Sequence, residues 1–265
     1  MESRSPSGRR PRLRDRGGAG RLAGARSRGS RSADRPRQRA RQPPQRLGRA
    51  IGGSLARPGK IVAVVGGDHP KSGWARDYDR ARASGDRIFH LDAHADLRDA
   101  YMGLTHRTPI FLGYNVMEEP AVAKLVQVGL RDLSNAEART ITESDGRIVA
   151  YFDSDLQNRL LGGEPWGAIV DEIVGMLPRT VYLSFDIDGL DPALCPNTGT
   201  PVPGGLGFSQ VLRLLRAVAE SGRKIVGLDL CEVSPGPGGD SEWDANVGAR
   251  LLYKMIGFTL LTHAH

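Results

Sequence analysis

The chain has 265 residues, 37 Lys+Arg against 30 Asp+Glu and a hydrophobic fraction of 39%, a length that holds one large α/β domain or two small ones. Its formal charge of +7 is local: residues 1–50 hold 16 Arg, no Lys and three acids (Glu2, Asp15, Asp34), a balance of +13, and the other 215 residues net −6. The body is therefore mildly acidic, which excludes a basic nucleic-acid binder built along the whole chain, and no apolar run approaches the ~18 residues of a membrane span.

Residues 1–59 are low-complexity Arg/Gly/Ser/Pro/Ala sequence. Such a segment cannot bury enough surface to offset the entropy of ordering, so it is expected to be a disordered basic arm. Its open readings are an RNA-contacting arm, an Arg- and Ser-rich transit peptide, a linker, or an out-of-frame translation with no role.

From residue 60 the pattern changes to the alternation of an α/β domain, residues 60–265. In chain order the strand candidates are IVAVV (61–65), RIFHL (87–91), KLVQVG (124–129) and RIVAYF (147–152). A helix over 166–177 aligns Ile169, Val170, Ile173, Val174 and Leu177 on one stripe. TVYLSFD (180–186) is the next strand. A helix over 209–221 follows, with Ser209 as N-cap and Gly222 as its stop. KIVGLDL (224–230) then leads to a helix over 244–256 carrying Val247, Leu251, Leu252 and Met255. Near-continuous apolar strands alternating with helices predict a parallel sheet covered on both faces. Sites of such sheets lie at the carboxyl ends of strands.

Four chemistry-bearing clusters share that placement. GGDHP follows IVAVV and carries His69; DAHAD follows RIFHL and carries Asp92, His94 and Asp96. DIDGLDP follows TVYLSF with Asp186 and Asp188, and CEVSP follows KIVGLDL with Glu232. Alternate residues of a strand share a face, so Asp92, His94 and Asp96 converge if the strand continues through them. His90 shares their face one pleat deeper and reads as a buried, hydrogen-bonded partner rather than a ligand. The candidate ligands are thus His69, Asp92, His94, Asp96, Asp186 and Asp188. Six ligands suit two ions about 3.5–4 Å apart that share bridging carboxylates. An oxygen-rich set without cysteine favours Mn²⁺ over zinc.

The motifs GGDH (66–69), DAHAD (92–96), SFDIDGLDP (184–192) with NTGTPVPGGL (197–206), and EVSP (232–235), in this order, resemble the ureohydrolase family of arginases, agmatinases and related amidinohydrolases. The similarity covers roughly residues 61–258. It implies a three-layer, arginase-like fold with a parallel sheet between helices, two Mn²⁺ per chain, and a homo-oligomer, trimer or hexamer. One ion would be held by His69, Asp92, Asp96 and Asp186, the other by Asp92, His94, Asp186 and Asp188, with Asp92 and Asp186 bridging. Glu232 would pair with the guanidinium of a small substrate, whose planar fork a carboxylate matches bidentately. His106, in the loop after DAHAD, would be the proton shuttle, and Asp188 would accept a proton from the nucleophile. The implied reaction is hydrolysis of a guanidino C–N bond, agmatine giving urea and putrescine, with arginase, guanidinobutyrase and formiminoglutamase as alternatives. A further alternative is a catalytically impaired metal-binding member that acts through its basic arm, the only part suited to nucleic acid.

Three features depart from the family pattern, the first being Pro70 and a polar run (71–82) after GGDH where relatives read GGDHS. The Arg-rich segment stands where relatives carry a first strand, and Arg107 follows His106 beside a site for a cationic substrate. Cys195 and Cys231 lack metal spacing and read as free thiols of a reducing compartment, which with the absence of a signal-peptide core predicts a cytoplasmic protein.

Overall fold

The computed structural model describes residues 60–67, 69, 87–98, 100–101, 104–105, 123–239 and 242–264. The arm (1–59), Asp68, Pro70 with the polar run 71–82, and the loop holding His106 and Arg107 lie outside them. Eight strands are present among the described residues: β1 Val62–Val65, β2 Arg87–Leu91, β3 Ala100–Tyr101, β4 Leu104–Thr105, β5 Lys124–Leu130, β6 Ile148–Phe152, β7 Thr180–Asp186 and β8 Lys224–Cys231. The helices are α1 Asn135–Thr142, α2 Asp153–Leu161, α3 Trp166–Met176, α4 Phe208–Glu220 and α5 Glu242–Leu261. The six strands expected from the sequence form one sheet in the order β1-β8-β7-β2-β5-β6, and β3 pairs with β4 in a separate hairpin. Every pairing within the six-stranded sheet is parallel.

The side chains of each strand divide by parity between two cores. Phe89, Leu91, Leu183, Phe185, Leu228 and Leu230 join the buried stripes of α3, α4 and α5 on one face. Ile88, Leu125, Tyr182 and Cys231 face the other way, where Ile141 of α1 packs against them. The sheet thus lies between helices, as the resemblance implies.

The helices show where local pattern falls short. Ser209 is not the N-cap of α4; Gly207 is, and its N–H is taken by Gln210 Oε1 at 2.7 Å, which closes the entry two residues earlier. Helix α5 extends past the apolar repeat to Leu261, because Thr259 is buried and its hydroxyl bonds Met255 O at 2.8 Å. Helices α1 and α2 were not expected, since each is short and mostly polar, with few apolar anchors: Ile141 in α1, Leu156 and Leu160 in α2. The start of α1 was nonetheless written in the sequence as Ser134-x-x-Glu137, and both halves of this capping box form.

Topology positions the site. The chain leaving β2 reaches its next sheet strand, β5, on one side, and the chain leaving β7 reaches β8 on the other. Adjacent strands whose continuations diverge leave a crevice at their carboxyl ends, the usual binding place in an open α/β sheet. β2 and β7 are those strands here.

Glu137 also fastens the segment leaving β2. Its carboxylate accepts N–H groups of Leu97 (3.1 Å), Arg98 (Nε, 3.1 Å) and Ser134 (2.8 Å). Burial pushes the carboxyl up, but these bonds outweigh it and hold it below its ordinary value of 4.5. A carboxyl depressed in the folded state stabilises fully above its unfolded pKa, and that stability is lost as pH falls through the folded value. Glu137→Gln is therefore expected to lower the Tm at pH 7, with the gap to the wild type closing below pH 4.5. Thermal unfolding at several pH values checks this, and a gap that persists unchanged at the acid end would count against it.

Candidate metal centre

The four clusters do come together. His69 follows β1, Asp92, His94 and Asp96 follow β2, Asp186 ends β7, Asp188 lies in the 3₁₀ turn Ile187–Gly189, and Glu232 follows β8. These are the four adjacent strands β1-β8-β7-β2. Strand β2 stops at Leu91, so the pleat alone does not gather Asp92, His94 and Asp96 as the sequence suggested. A bend does, and it puts Asp96 in the left-handed region at φ +52°. The turn after β7 comes close to this bend: a Cβ on Gly189 would stand 2.9 Å from Asp92 N. That approach lets Asp188 Oδ1 accept the Ala93 N–H at 3.0 Å.

The six groups fall into two halves around Asp92. On one side His69 Nδ1 lies 3.0 Å from Asp92 Oδ2, 3.2 Å from Asp186 Oδ2 and 3.6 Å from Asp96 Oδ2. On the other, His94 Nδ1 lies 3.0 Å from Asp188 Oδ2 and 3.4 Å from Asp92 Oδ1. The two oxygens of Asp92 therefore address different halves. Asp186 Oδ1 turns instead to the Asp188 N–H, at 3.0 Å. Among the described residues, groups able to hold a cation are His69, His90, Asp92 and Asp96 in one half, Asp92, His94 and Asp188 in the other, and His69, Asp229 and Cys231 beneath; Asp186 is in none of the three. Asp92, Asp186 and Asp188 are buried, with 1%, 3% and 3% of their surface exposed.

Such crowding distorts the acid–base properties of every member. Burial pushes Asp186 and Asp188 up, and the nearby Asp92 carboxylate pushes them further. Asp96 is raised by the same two causes to about 6. Burial would raise Asp92 as well, but His90, His69 and His94 surround it and hold it well below the usual range. For His94 burial lowers the pKa, yet Asp188 and Asp92 outweigh it and lift the imidazole to about 11.

Beneath the centre runs a row of buried polar side chains that sequence reading caught only at His90. Register places Gln127 beside His90, His90 beside Ser184, and Ser184 beside Asp229, across β5, β2, β7 and β8. His90 Nε2 stands 2.9 Å from Asp92 Oδ2, a charge contact rather than an aligned hydrogen bond. Gln127 Nε2 donates to His90 Nδ1 (3.0 Å) and Ala95 O (2.8 Å), which leaves the His90 proton on Nε2, facing Asp92. His69 Nε2 is 2.8 Å from Ser184 Oγ, whose hydroxyl donates to Asp229 Oδ1 at 3.3 Å. That chain orients the His69 ring and turns Nδ1 towards the carboxylates, where it donates to Asp92 Oδ2 at 3.0 Å, the way outer partners orient a ligating imidazole.

Glu232 sits at the rim. Its Oε1 accepts the His69 N–H at 2.8 Å, and its backbone is left-handed at φ +60°. Thr200 Oγ1, from the loop that follows DIDGLDP, reaches Asp188 Oδ2 at 3.3 Å.

The sequence matches the arginase family over residues 34–257. The chain belongs to the arginase family. An N(1)-aminopropylagmatine ureohydrolase of Thermus thermophilus is 36% identical over 203 residues, which cover 76% of this chain and 63% of that protein. A proclavaminate amidinohydrolase of Streptomyces clavuligerus is 37% identical over 207 residues, with the same two shares of 76% and 63%. The chain thus spans 63% of the length of these two curated relatives. A solved structure of the proclavaminate amidino hydrolase from Streptomyces clavuligerus matches with a TM-score of 0.65 at 26% identity, covering 83% of this chain and 71% of that one. No helix among the described residues is long and apolar enough to cross a membrane.

The contact at Gly189 yields a test of this arrangement. Gly189→Ala must push against the backbone of Leu91 and Asp92, which has little room to yield. The expected cost is roughly 1–3 kcal/mol of stability, the usual penalty of overpacking. Urea unfolding measures it, and an unchanged midpoint would mean that the turn is not seated against β2.

Proposed function

We propose that this chain is a binuclear amidinohydrolase that holds two Mn²⁺ ions at the β2/β7 crevice and cleaves the guanidino C–N bond of an agmatine-like amine, releasing urea. The observation that carries the reading is the convergence of four carboxylates and two imidazoles in one largely buried pocket, with Glu232 at its rim. Buried carboxylates are costly unless paired or bound to metal. With neutral imidazoles the four acids carry four negative charges, which two divalent ions match. The thiol-free donor set supports a hard ion such as Mn²⁺.

In this reading His69, Asp92, Asp96 and Asp186 hold one ion, and Asp92, His94, Asp186 and Asp188 hold the other. When bound, such a pair supplies a nucleophile by lowering the pKa of water towards neutrality. The rest falls to the chain. Glu232 grips the guanidinium, oriented by the His69 N–H on its Oε1. Asp188 takes the proton of the nucleophile at Oδ2. His106, assigned by family resemblance, returns a proton to the leaving amine.

The substrate class draws its support from relatives named for aminopropylagmatine and for guanidinobutyrate, and from the EVSP and PVPGGL motifs. Residues 1–59 are read as a basic arm and 60–265 as the catalytic domain, on composition. Cys195 and Cys231 are buried free thiols, which supports a reducing compartment such as the cytoplasm. A homo-oligomer, trimer or hexamer, rests on family resemblance alone.

The test is urea release by the purified chain with Mn²⁺ over agmatine, aminopropylagmatine, guanidinobutyrate and arginine, with formamide followed from formiminoglutamate. Turnover of an aminoalkylguanidine is expected. Silence on all five with two ions bound would overturn the reading. Asp92→Ala is expected to lose metal and turnover together, because Asp92 serves both halves; retention of two ions by that variant would refute the ligand set. Glu232→Gln should keep both ions while KM rises and kcat falls, checked by metal analysis beside steady-state kinetics.

A further inference from the structure

Arg131 stands immediately after β5, on a different strand from every candidate ligand. Its guanidinium is partly buried, and its five hydrogen bonds all end on backbone carbonyls. Nη2 donates to Asp188 O (2.6 Å), Leu190 O (3.1 Å) and Val202 O (3.0 Å). Nε donates to Val202 O at 3.1 Å and Nη1 to Gly129 O at 3.0 Å. Two of these carbonyls flank Gly189 in the turn that carries Asp188. A third belongs to the PVPGGL loop, the loop whose Thr200 reaches the Asp188 side chain at 3.3 Å.

We propose that Arg131 is the positioning residue of the Asp188–His94 half of the metal centre, a proposal that rests on the binuclear reading above. One planar cation ties the main chain of Asp188 and the loop touching its carboxylate to the end of β5, so Asp188 is fixed from two directions. The fit is close: Gly205, left-handed at φ +99°, would place a Cβ 2.9 Å from Arg131 Nη2. Asp153 completes the clamp by accepting the Gly205 N–H at 3.1 Å. All five bonds serve the Asp188 turn, the loop against it and the end of β5, so the half built on His69 and Asp96 should feel their loss least. A lysine keeps the charge but presents its donors from one nitrogen, without the fork whose Nε, Nη1 and Nη2 reach carbonyls on separate segments.

The experiment is calorimetric titration of the metal-stripped chain with Mn²⁺, comparing wild type, Arg131→Lys and Arg131→Ala, with unfolding curves for each. Electron paramagnetic resonance then separates spin-coupled pairs from isolated Mn²⁺. The wild type should bind two equivalents. Arg131→Lys should bind the first with unchanged affinity and the second about 10–100-fold more weakly, the usual effect of losing a partner behind a ligand. At intermediate Mn²⁺ its spectrum should be that of isolated ions. Equal weakening of both equivalents, or of neither, overturns the proposal. Loss of the fold in both variants overturns it too, since Arg131 would then be a clamp for the whole domain. A wild type that binds fewer than two ions refutes the binuclear reading itself, an outcome distinct from any of these.

Discussion

Mutual repulsion among Asp92, Asp96, Asp186 and Asp188 is the constraint on which the rest of this structure turns. Two of the four sit at the ends of strands that the chain reaches from opposite directions, β2 and β7, and they meet only because the sheet order reverses between them. Nothing apolar gains from that meeting. The fold must hold the acids together against their own charge, and it does so with backbone donors and imidazoles. The N–H groups of Ala93, His94 and Asp188 each end on one of these carboxylates. Three imidazoles crowd Asp92, which is why it is held low while its neighbours rise. A cluster with that imbalance attracts cations by its own electrostatics.

The support beneath is built from what look like lapses in apolar strands. RIFHL, KLVQVGL, TVYLSFD and KIVGLDLC each carry a polar residue in a hydrophobic run: His90, Gln127, Ser184 and Asp229. Alone, each would weaken a core. In parallel register they fall side by side on one face, fully buried, directly under the carboxylates. The opposite face of the same strands stays apolar and packs on α3, α4 and α5. One side of the sheet therefore holds the layers together, and the other side aims the site.

Much of this was legible in the sequence. Apolar strands with acids at their ends are a local pattern, so six strands, their carboxyl-end clusters and the six converging groups could all be read without a structure. The polar row could not, because it depends on which strands become neighbours, and neighbours are set by topology rather than by adjacency in sequence. Arg131 was invisible for a related reason: its partners are backbone carbonyls as distant as Val202, and a carbonyl has no sequence signature. Short polar helices such as α1 and α2 escape a search for apolar periodicity, although the capping box at Ser134 was there to be seen.

Backbone strain marks the places where the site is most tightly specified. Left-handed conformations are rare for residues with a side chain and persist only where the surroundings over-determine them. Asp96 is such a residue, and the residues on both sides of it are pinned by buried side chains: Gln127 holds Ala95 O and Glu137 holds Leu97 N. Glu232 is another, with its own N–H bonded to Gly67 O at 3.1 Å and its own carbonyl to Thr198 Oγ1 at 3.0 Å. The third, Asp145, lies in a turn away from the site and is exposed. Two of the three such positions among the described residues thus coincide with a candidate ligand and the candidate guanidinium partner. The cost of that strain is borne by hydrogen bonds from neighbouring segments, so the carboxylates are already oriented before any cation or substrate arrives.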